Sequence, residues 1–292
     1  MPPPANRLNW DERQRAMLLE ALLIWNGAVS AEDLGDCLDC SIDRAEQDLA
    51  RYRALHPGCL IGDAGTYRAS DQFEPSYLRG TVQEFLQVLR NVGDVAATPL
   101  SVVAAQVAPI ELLQPPERAF DVRILQRMST AIRDRRWLEV EYQSMSHPEP
   151  RSLRIAPHAL AHAGRWHARA WSETHQAYRD FLLSRISGIP QLGDEVPDRT
   201  GDWEWSNLVS VRIGPHAGLS PAQQRVVEQD YGMRHGMLET TLRLALVPYY
   251  LRMMGVGRDD HLQPAAEQQI MLLNGSELAS YDRLSGGGGH GD

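Results

Sequence analysis

The stretch Arg165-Trp166-His167-Ala168-Arg169-Ala170-Trp171 carries the most structural information in this chain of 292 residues. Side chains along a β-strand alternate between the two faces of its sheet. The even-numbered residues of the stretch then form an apolar core face, and the odd-numbered ones form a basic face with Trp171 at its end. A basic row beside a buried core is costly unless an anion or acidic side chains meet it. The pattern predicts an anion site on a sheet near the middle of the chain.

The period of two continues on both sides of this stretch. Trp137–Tyr142, Arg151–Ala161 and Ala177–Ile186 are further strand candidates. Several short strands so close together predict a small barrel. A helix over Phe120–Arg135 is predicted before the strands, and Gln191–Gly201 is predicted to be a linker.

The segment from Phe120 to Pro190 is the most basic part of the chain. It contains 11 arginines and 7 carboxylates, although the whole chain has a net charge of −9. The alternative to an anion site is a set of internal ion pairs with Glu139, Glu141, Glu173 and Asp180. These acids are too few to occupy all of the basic side chains. Histidines in the segment lack a convincing nucleophile–base arrangement, so no catalysis is expected.

The N-terminal part of the chain has three helical patterns followed by a hairpin pattern. Asp11–Asn26 has apolar residues at helical spacing, and a capping box at Ser30 opens a second helix. Ser41 is placed to cap a third helix over Ile42–Leu55. Two short strands, Cys59–Ile61 and Thr66–Arg68, flank a glycine-rich turn. This order predicts a winged helix-turn-helix.

The third predicted helix has a core stripe and a polar stripe. The core stripe is Ile42, Ala45, Leu49 and Tyr52, and the polar stripe is Arg44, Gln47, Asp48 and Arg51. Arginine and glutamine make paired hydrogen bonds to guanine and adenine in the major groove. The alternative is a solvated face, which the neighbouring carboxylates favour because they repel phosphate. The expected base contacts are Arg44, Gln47 and Arg51, with Ser41 at the helix start and Arg53 and Arg68 on phosphates.

The three cysteines have a spacing that zinc sites use. Cys37, Cys40, His56 and Cys59 would supply four ligands. Small buried thiols explain the same residues without a metal, and this alternative is favoured. We therefore expect no metal and no cofactor.

The chain is predicted to be a multidomain α+β protein. An amphipathic helix is predicted over Pro75–Val92, and a small α+β region is predicted in the C-terminal third. The predicted domains are a winged helix-turn-helix at 7–72, a helical linker and dimerisation region at 73–119, a central barrel at 120–192, a C-terminal α+β domain at 202–284 and a flexible tail at 285–292.

Composition excludes several functions. All 29 basic residues are arginine, which rules out catalytic or phosphate-binding lysines. The acidic net charge argues against a surface coated for nonspecific nucleic-acid binding. With no apolar run of membrane-spanning length and no signal peptide, a cytoplasmic location without membrane contact is expected.

Four segments of the middle region resemble the motifs of a WYL domain, an Sm-like β-barrel of bacterial regulators. They are Leu138–Ser144, Arg154–His158, Arg165–Ala170 and Arg179–Ile186, about a quarter of the chain. The triplet Trp-Tyr-Leu that names the family stands here as Trp166-His167-Ala168. With its winged helix and C-terminal domain, the whole chain resembles WYL transcription factors, most closely the BrxR/CapW branch of dimeric repressors upstream of BREX or CBASS phage-defence genes.

The resemblance implies a sensor pocket for a nucleotide or nucleic-acid ligand on the basic face of the barrel. The residues at or beside its motif positions are Tyr142, Ser144, Arg154, His158, His167, Arg169 and Arg185. On this interpretation, replacing His167 or Arg169 by alanine would leave the fold nearly intact and abolish only the response to ligand.

The expected function is therefore a ligand-responsive homodimeric repressor that binds an inverted-repeat operator in double-stranded DNA. The alternative is a WYL nucleic-acid-sensing accessory protein whose N-terminal domain only dimerises and which lacks sequence-specific DNA binding. Under neither interpretation is the protein expected to be an enzyme.

Overall fold

A computed structural model describes residues 8–62, 65–90, 98–111, 113, 118–197, 201–257 and 263–284. The chain divides into two compact units, one ending at Gln114 and the other beginning at Pro115. The predicted tail at 285–292 and part of the predicted hairpin turn lie outside the described residues. No helix in the described part of the chain has both the length and the apolar character needed to cross a membrane.

The first unit contains the three predicted helices and the hairpin. Its helices are α1 (Trp10–Ala21), α2 (Ala31–Leu38), α3 (Ile42–Leu55), α4 (Val82–Leu89) and α5 (Pro99–Gln106). A π-helical turn, Leu22–Asn26, extends α1, and Gly27 ends it with φ +82°. Ser30 and Ser41 cap α2 and α3, as their side-chain oxygens accept backbone N–H groups in the first turn. The small sheet has the order β1-β3-β2, with β1 (Val29–Ser30), β2 (Leu60–Ile61) and β3 (Thr66–Ala69).

The prediction of a helix over Pro75–Val92 was wrong for its first turns. Helix α4 begins only at Val82, after the cap residue Thr81. Gly80 has φ +67°, a left-handed conformation that interrupts a helix. The residues before it give their backbone N–H groups to the buried side chain of Glu20 instead of to a helical turn.

The second unit begins with helix α6 (Val122–Arg133) and a five-stranded antiparallel sheet. The strands are β4 (Arg136–Tyr142), β5 (Arg151–His162), β6 (Trp166–Ser172), β7 (Ala177–Leu182) and β8 (Ile186–Glu195). Helix α6 packs its buried Ile124 and Met128 against the sheet. The prediction of a linker from Gln191 was wrong, because β8 pairs with β4 as far as Glu195.

The sheet is curled, with the order β7-β6-β5-β4-β8. The Leu182 backbone N–H donates to the Tyr142 hydroxyl at 3.2 Å, which joins β7 to β4 across three steps of the strand order. The Phe181 ring also meets the Tyr142 ring edge-on. The end strands β7 and β8 are not paired with each other among the described residues. A closed Sm-like barrel is therefore not confirmed.

The C-terminal part of the second unit is a small α+β domain with its own core. Its strands β9 (Leu208–Pro215), β10 (Leu238–Arg243) and β11 (Ile270–Leu272) form a sheet in the order β10-β9-β11. Its helices are α7 (Trp203–Ser206), α8 (Pro221–Asp230), α9 (Val247–Met254) and α10 (Gly275–Leu284). The sequence patterns had predicted β9, β10, α8 and α9 but not α7, β11 or α10.

Candidate functional site

Helix α3 is amphipathic and leaves one long side open to solvent. Ala45, Leu49 and Tyr52 are buried in the core of the first unit. Ile42 was predicted to join them, but it is 55% exposed because it stands in the first turn, beyond the core. The side opposite the buried stripe is free of contacts with the core and has the shape that a recognition helix requires.

The predicted polar stripe is divided by the packing of α3 against α1. The Arg51 guanidinium is paired with the Glu12 carboxylate on α1. Arg44 Nε lies 3.6 Å from Asp48 Oδ2, and Asp48 is itself 3.6 Å from Arg15 on α1. Arg51 and Asp48 therefore lie on the flank of α3 that faces α1, although the Arg51 side chain is still 46% exposed, and Gln47 is exposed on the outer side.

The outermost face of α3 includes residues that the sequence analysis missed. At 3.6 residues per turn, the positions opposite Ala45, Leu49 and Tyr52 are Asp43, Gln47, Ala50 and Ala54, all of them exposed. The signal was present in the same helical period. Ala50 and Ala54 are weaker sequence signals of base contact than arginine, because a small apolar side chain makes no hydrogen bond to a base edge.

The hairpin beside α3 carries the two predicted phosphate contacts. Arg53 Nη1 lies 3.2 Å from the Tyr67 hydroxyl on β3, and its guanidinium lies 4.9 Å from the centroid of that ring. Arg68, the next residue on β3, is exposed. Ser41 is occupied by its capping role, since its hydroxyl oxygen accepts the Arg44 N–H at 3.3 Å. The helix and hairpin thus present Gln47, Arg53 and Arg68 on exposed positions of one compact unit.

The cysteines have separate surroundings. Cys37, Cys40 and Cys59 are half-buried free thiols. Cys59 Sγ lies 3.8 Å from the Gln72 carbonyl oxygen, and His56 Nε2 lies 3.4 Å from the Tyr77 hydroxyl. Burial, with the nearby Asp33 and Asp36 charges, raises the pKa of the Cys37 thiol. Within the described ranges, no three His, Cys, Asp or Glu side chains are arranged to hold a metal ion.

Strand β6 alternates as predicted, but both of its faces are covered. Ala168 and Ala170 are fully buried in the core beneath α6. Trp166 was expected there too, yet it is 40% exposed because it begins the strand at a hairpin, where its ring meets His162. On the other face, His167 and Arg169 are 6% and 3% exposed. The basic row is therefore largely inside the protein.

Carboxylates surround Arg169. Its Nε and Nη2 atoms lie 2.6 and 3.1 Å from the two Asp202 oxygens, a two-point pairing. Nη2 also lies 2.6 Å from Glu204 Oε2, and Nη1 lies 3.6 Å from Asp180 Oδ1. We call these four residues the Arg169 cluster. Of its acids, only Asp180 was among the ion-pair partners considered from the sequence.

Two further side chains extend the Arg169 cluster. His158 Nε2 lies 3.0 Å from Asp202 Oδ2. The Tyr249 hydroxyl on α9 donates to Asp180 Oδ2 at 2.8 Å. Asp202 also accepts the Trp205 backbone N–H, which caps α7. The cluster thus ties β5, β6 and β7 to the beginning and to a helix of the C-terminal domain.

Electrostatics keep Arg169 and Asp202 ionised. Burial disfavours the charged form of Arg169, but its hydrogen bonds to Asp202 and the charges of the surrounding acids outweigh burial and raise its pKa. Burial alone would raise the pKa of Asp202, but its hydrogen bonds with His158 and Arg169 outweigh burial and lower that pKa overall. Burial raises the pKa of the Tyr249 hydroxyl, and the Asp180 charge adds to the effect, so Tyr249 remains a donor.

His167 is packed against Tyr249 of α9. The two ring centroids lie 4.6 Å apart. Among the described residues, its buried Nδ1 atom has no hydrogen-bond partner. Burial lowers the pKa of His167, and the nearby His162 and Arg252 lower it further against the opposing effect of Asp180. The neutral imidazole is therefore the favoured form in the folded protein.

The remaining predicted sensor residues lie elsewhere on the sheet. Arg154 Nη1 lies 3.0 Å from Glu173 Oε1, and its guanidinium lies over the Trp137 ring. Tyr142 is buried at the end of β4. Ser144 follows it, with its hydroxyl 3.0 Å from that of Ser146. Arg185 is half-buried, and its carbonyl oxygen accepts the Gln143 N–H beside Tyr142. The structure therefore separates Tyr142, Ser144 and Arg185 from the Arg169 cluster.

A second group of basic side chains lies near Tyr142. We call Arg151, His175, Arg179 and His147 the basic cluster. Tyr142 is opposite Arg151 in the β4–β5 pairing, and the Ser172 hydroxyl lies 2.7 Å from His175 Nδ1. Burial and then the positive charges of Arg179, Arg151 and His147 lower the pKa of His175. The buried Nε of Arg179 has no hydrogen-bond partner among the described residues. This cluster has the charge and the open donor that an anion would satisfy.

Comparison with known families matches three segments of the chain. Residues 11–91 match the winged helix-turn-helix domain of the BrxR transcriptional regulator. Residues 123–190 match the WYL domain, and residues 208–278 match the C-terminal dimerization domain of BrxR.

Curated relatives match nearly the full length. The DNA-binding transcriptional repressor CapW of Stenotrophomonas maltophilia is 31% identical over 283 residues, covering 96% of this chain and 95% of its own. The CapW proteins of Pseudomonas aeruginosa and Escherichia coli (strain KTE188) are each 30% identical over 272 residues, covering 92% of this chain and 91% of theirs. The solved structure of PafBC from Arthrobacter aurescens covers 97% of this chain and 50% of its own, with 16% identity and a TM-score of 0.26.

The CapW relatives are regulators rather than enzymes, and their match extends over the winged helix, the sheet and the C-terminal domain described above. The chain belongs to the BrxR/CapW family of DNA-binding WYL-domain transcriptional repressors.

Proposed function

We propose that this protein is a homodimeric repressor of a phage-defence operon, of CBASS or BREX type, and that a nucleotide or nucleic-acid ligand controls its binding to an inverted-repeat operator. The observation that carries the proposal is the exposed side of α3 beside the hairpin, in a chain related to CapW repressors over nearly its full length. A dimer with two-fold symmetry presents two equivalent helices, which requires a palindromic site.

Charge supports a dimer as the binding form. Residues 1–95 contain 9 arginines and 15 carboxylates, so the phosphate attraction of one winged helix is small. Two linked copies raise the effective concentration of the second winged helix at its half-site. The C-terminal segment that matches a dimerization domain supplies the link.

Within the winged helix, we assign base contacts to Gln47 and Arg44 and phosphate contacts to Arg53 and Arg68. Arg51 contributes only after it leaves Glu12, so its effect on binding is expected to be smaller. Selection of duplexes from a random pool tests the assignment. Gln47→Ala and Arg44→Ala should each weaken the selected site by about 1–3 kcal/mol. Arg68→Ala should weaken all sequences alike and reduce the salt dependence.

A matched control is Arg133→Ala, because Arg133 is an exposed arginine that pairs with its neighbour Asp134. It should leave operator affinity unchanged. A triple variant of Arg44, Gln47 and Arg51 that binds as tightly as the wild type would contradict the recognition-helix assignment. A wild type that selects no sequence would favour the alternative, an accessory protein without sequence-specific DNA binding.

For the ligand, we place the anion site at the basic cluster rather than at the Arg169 cluster. Tyr142, Ser144 and Arg185 stay in this proposal as ligand contacts. Arg154, His158 and Arg169 are paired with protein carboxylates, and the His167 ring is buried against Tyr249, so we assign these four residues an indirect role. The unpartnered Arg179 Nε and the absence of ion pairs in the described surroundings of that guanidinium support this placement.

Calorimetric titration tests this site with a short single-stranded thymidine oligonucleotide and with inorganic phosphate as probes. We expect Arg179→Ala to weaken binding of the oligonucleotide at least about tenfold, since a charge-assisted contact is lost. Arg133→Ala serves again as the control and should bind like the wild type. An Arg179→Ala protein with unchanged affinity would show that the anion binds elsewhere.

A further inference from the structure

The Arg169 cluster joins two domains through one guanidinium. Asp180 comes from β7 of the central sheet, whereas Asp202 and Glu204 come from the segment that opens the C-terminal domain. Tyr249, the partner of Asp180, comes from helix α9 of that domain. All three carboxylates converge on Arg169, so its side chain holds the sheet and the C-terminal domain in one arrangement.

The charge balance makes this arrangement easy to disturb. One guanidinium faces three carboxylates whose side chains are only 4–15% exposed. Like charges in a poorly solvated site repel one another unless a cation holds each of them. The cluster is therefore most stable while Arg169 reaches all three acids, with His158 on Asp202 and Tyr249 on Asp180 as further partners. A small displacement of one acid weakens the whole contact.

Strand β7 connects the Arg169 cluster to the basic cluster. Arg179 and Asp180 are adjacent residues, so they lie on opposite faces of the strand. Arg179 lies opposite Ala170, whose side chain is in the core, and Asp180 lies opposite Arg169. A movement of β7 that follows an anion at Arg179 must also move Asp180 relative to Arg169 and Tyr249.

We propose that the Arg169 cluster is a releasable latch that sets the orientation of the WYL sheet on the C-terminal dimerization domain, and with it the half-site spacing that the dimer accepts. The proposal rests on the proposed function, because it assigns a regulatory consequence to the same sensor domain. A closed latch selects one spacing between the half-sites. An open latch leaves the two DNA-binding units free to accept several.

The test uses the full-length chain and a series of duplexes whose two selected half-sites are separated by spacers that increase one base pair at a time. Asp202→Asn removes the charge that pairs with Arg169 at two points. Tyr249→Phe is a milder variant that removes only the hydroxyl on Asp180 and keeps the ring against His167. Asp194→Asn is the matched control, since Asp194 is 95% exposed and lies 3.8 Å from Arg154.

We expect the wild type and Asp194→Asn to prefer one spacer by at least about tenfold over its neighbours. Asp202→Asn and Tyr249→Phe should remain dimers by light scattering, keep wild-type affinity for a single half-site and lose most of the spacer preference. If both variants keep the wild-type preference, the latch is wrong. If Asp202→Asn does not fold, the result for Tyr249→Phe decides.

A second readout separates failure of the latch from failure of the proposed function. A wild type that binds no half-site specifically overturns the operator proposal and, with it, the spacing consequence. Hydrogen exchange of the α7 and α9 amides then tests the latch in the absence of DNA. Faster exchange in Asp202→Asn and Tyr249→Phe than in Asp194→Asn supports a contact that holds the two domains. Equal exchange in all three variants overturns it.

Discussion

Replacing Arg169 by alanine is expected to lower the free energy of unfolding of the second unit by about 3–5 kcal/mol, the usual cost of leaving buried charges without their partner. The variant leaves Asp180, Asp202 and Glu204 facing one another with Arg169 gone. His158, which is 32% exposed, then remains as a basic partner of Asp202. Hydrogen exchange of the β6 and β7 amides measures the loss, because these strands carry the cluster.

Two variants give this prediction its controls. Arg133→Ala removes an arginine whose side chain is 70% exposed and should cost less than about 1 kcal/mol, as surface pairs do. The double variant Arg169→Ala with Asp202→Ala should recover part of the lost unfolding free energy, because it also removes one of the carboxylates that Arg169→Ala leaves unpaired. If Arg169→Ala costs no more than Arg133→Ala, the buried pairing described above does not stabilise the protein.

This expectation replaces the one drawn from the sequence alone. The alternating pattern of β6 predicted correctly that His167 and Arg169 share a face, and it identified the alternative of internal ion pairs. The prediction that Arg169→Ala would spare the fold assumed an open basic face. Asp202 and Glu204, which cover that face, stand 33 and 35 residues further along the chain. No local period connects them to β6, so only the folded structure could reveal the pairing.

Local sequence patterns, by contrast, predicted most of the helices and strands of the DNA-binding unit. The serine caps at Ser30 and Ser41 and the apolar spacing along α3 depend on neighbours within one turn, and the observed bounds Ile42–Leu55 are those predicted. The base contacts could not be assigned in the same way, because Arg51 pairs with Glu12, a residue 39 positions away in the sequence. The helical period shows which residues share a face of α3. It does not show which of those faces packs against α1 and which is exposed to DNA.

Glu20 is the clearest case of a contact that no local pattern could reveal. It lies on the buried side of α1 and is fully buried. Its two carboxylate oxygens accept hydrogen bonds from the Tyr52 hydroxyl at 2.9 Å and from the Ser76, Tyr77 and Leu78 backbone N–H groups at 2.7–2.9 Å. This one side chain therefore holds α3 and the segment before α4 against α1.

Replacing Glu20 by alanine is expected to destabilise the first unit by about 3 kcal/mol or more, since several donors lose a charged acceptor and some of them stay buried. Glu20→Gln should recover little of the loss, because its amide group presents N–H donors to backbone N–H donors. Hydrogen exchange of the α1 and α3 amides measures the change, and operator affinity should fall with the folded fraction of the winged helix.

Glu84 supplies the matched control for Glu20. Its carboxylate also accepts two backbone N–H groups, from Arg79 and Gly80 at 2.9 and 3.0 Å, but it does so at the surface, where water replaces a lost acceptor. Glu84→Ala should therefore cost about 1 kcal/mol. Glu20 accepts four hydrogen bonds and Glu84 accepts two, so a loss in Glu20→Ala that is more than twice the loss in Glu84→Ala measures the added effect of burial. Equal losses would mean that Glu20 acts only as a helix residue, and the contact between α1, α3 and the segment before α4 would then have to be held by the apolar core alone.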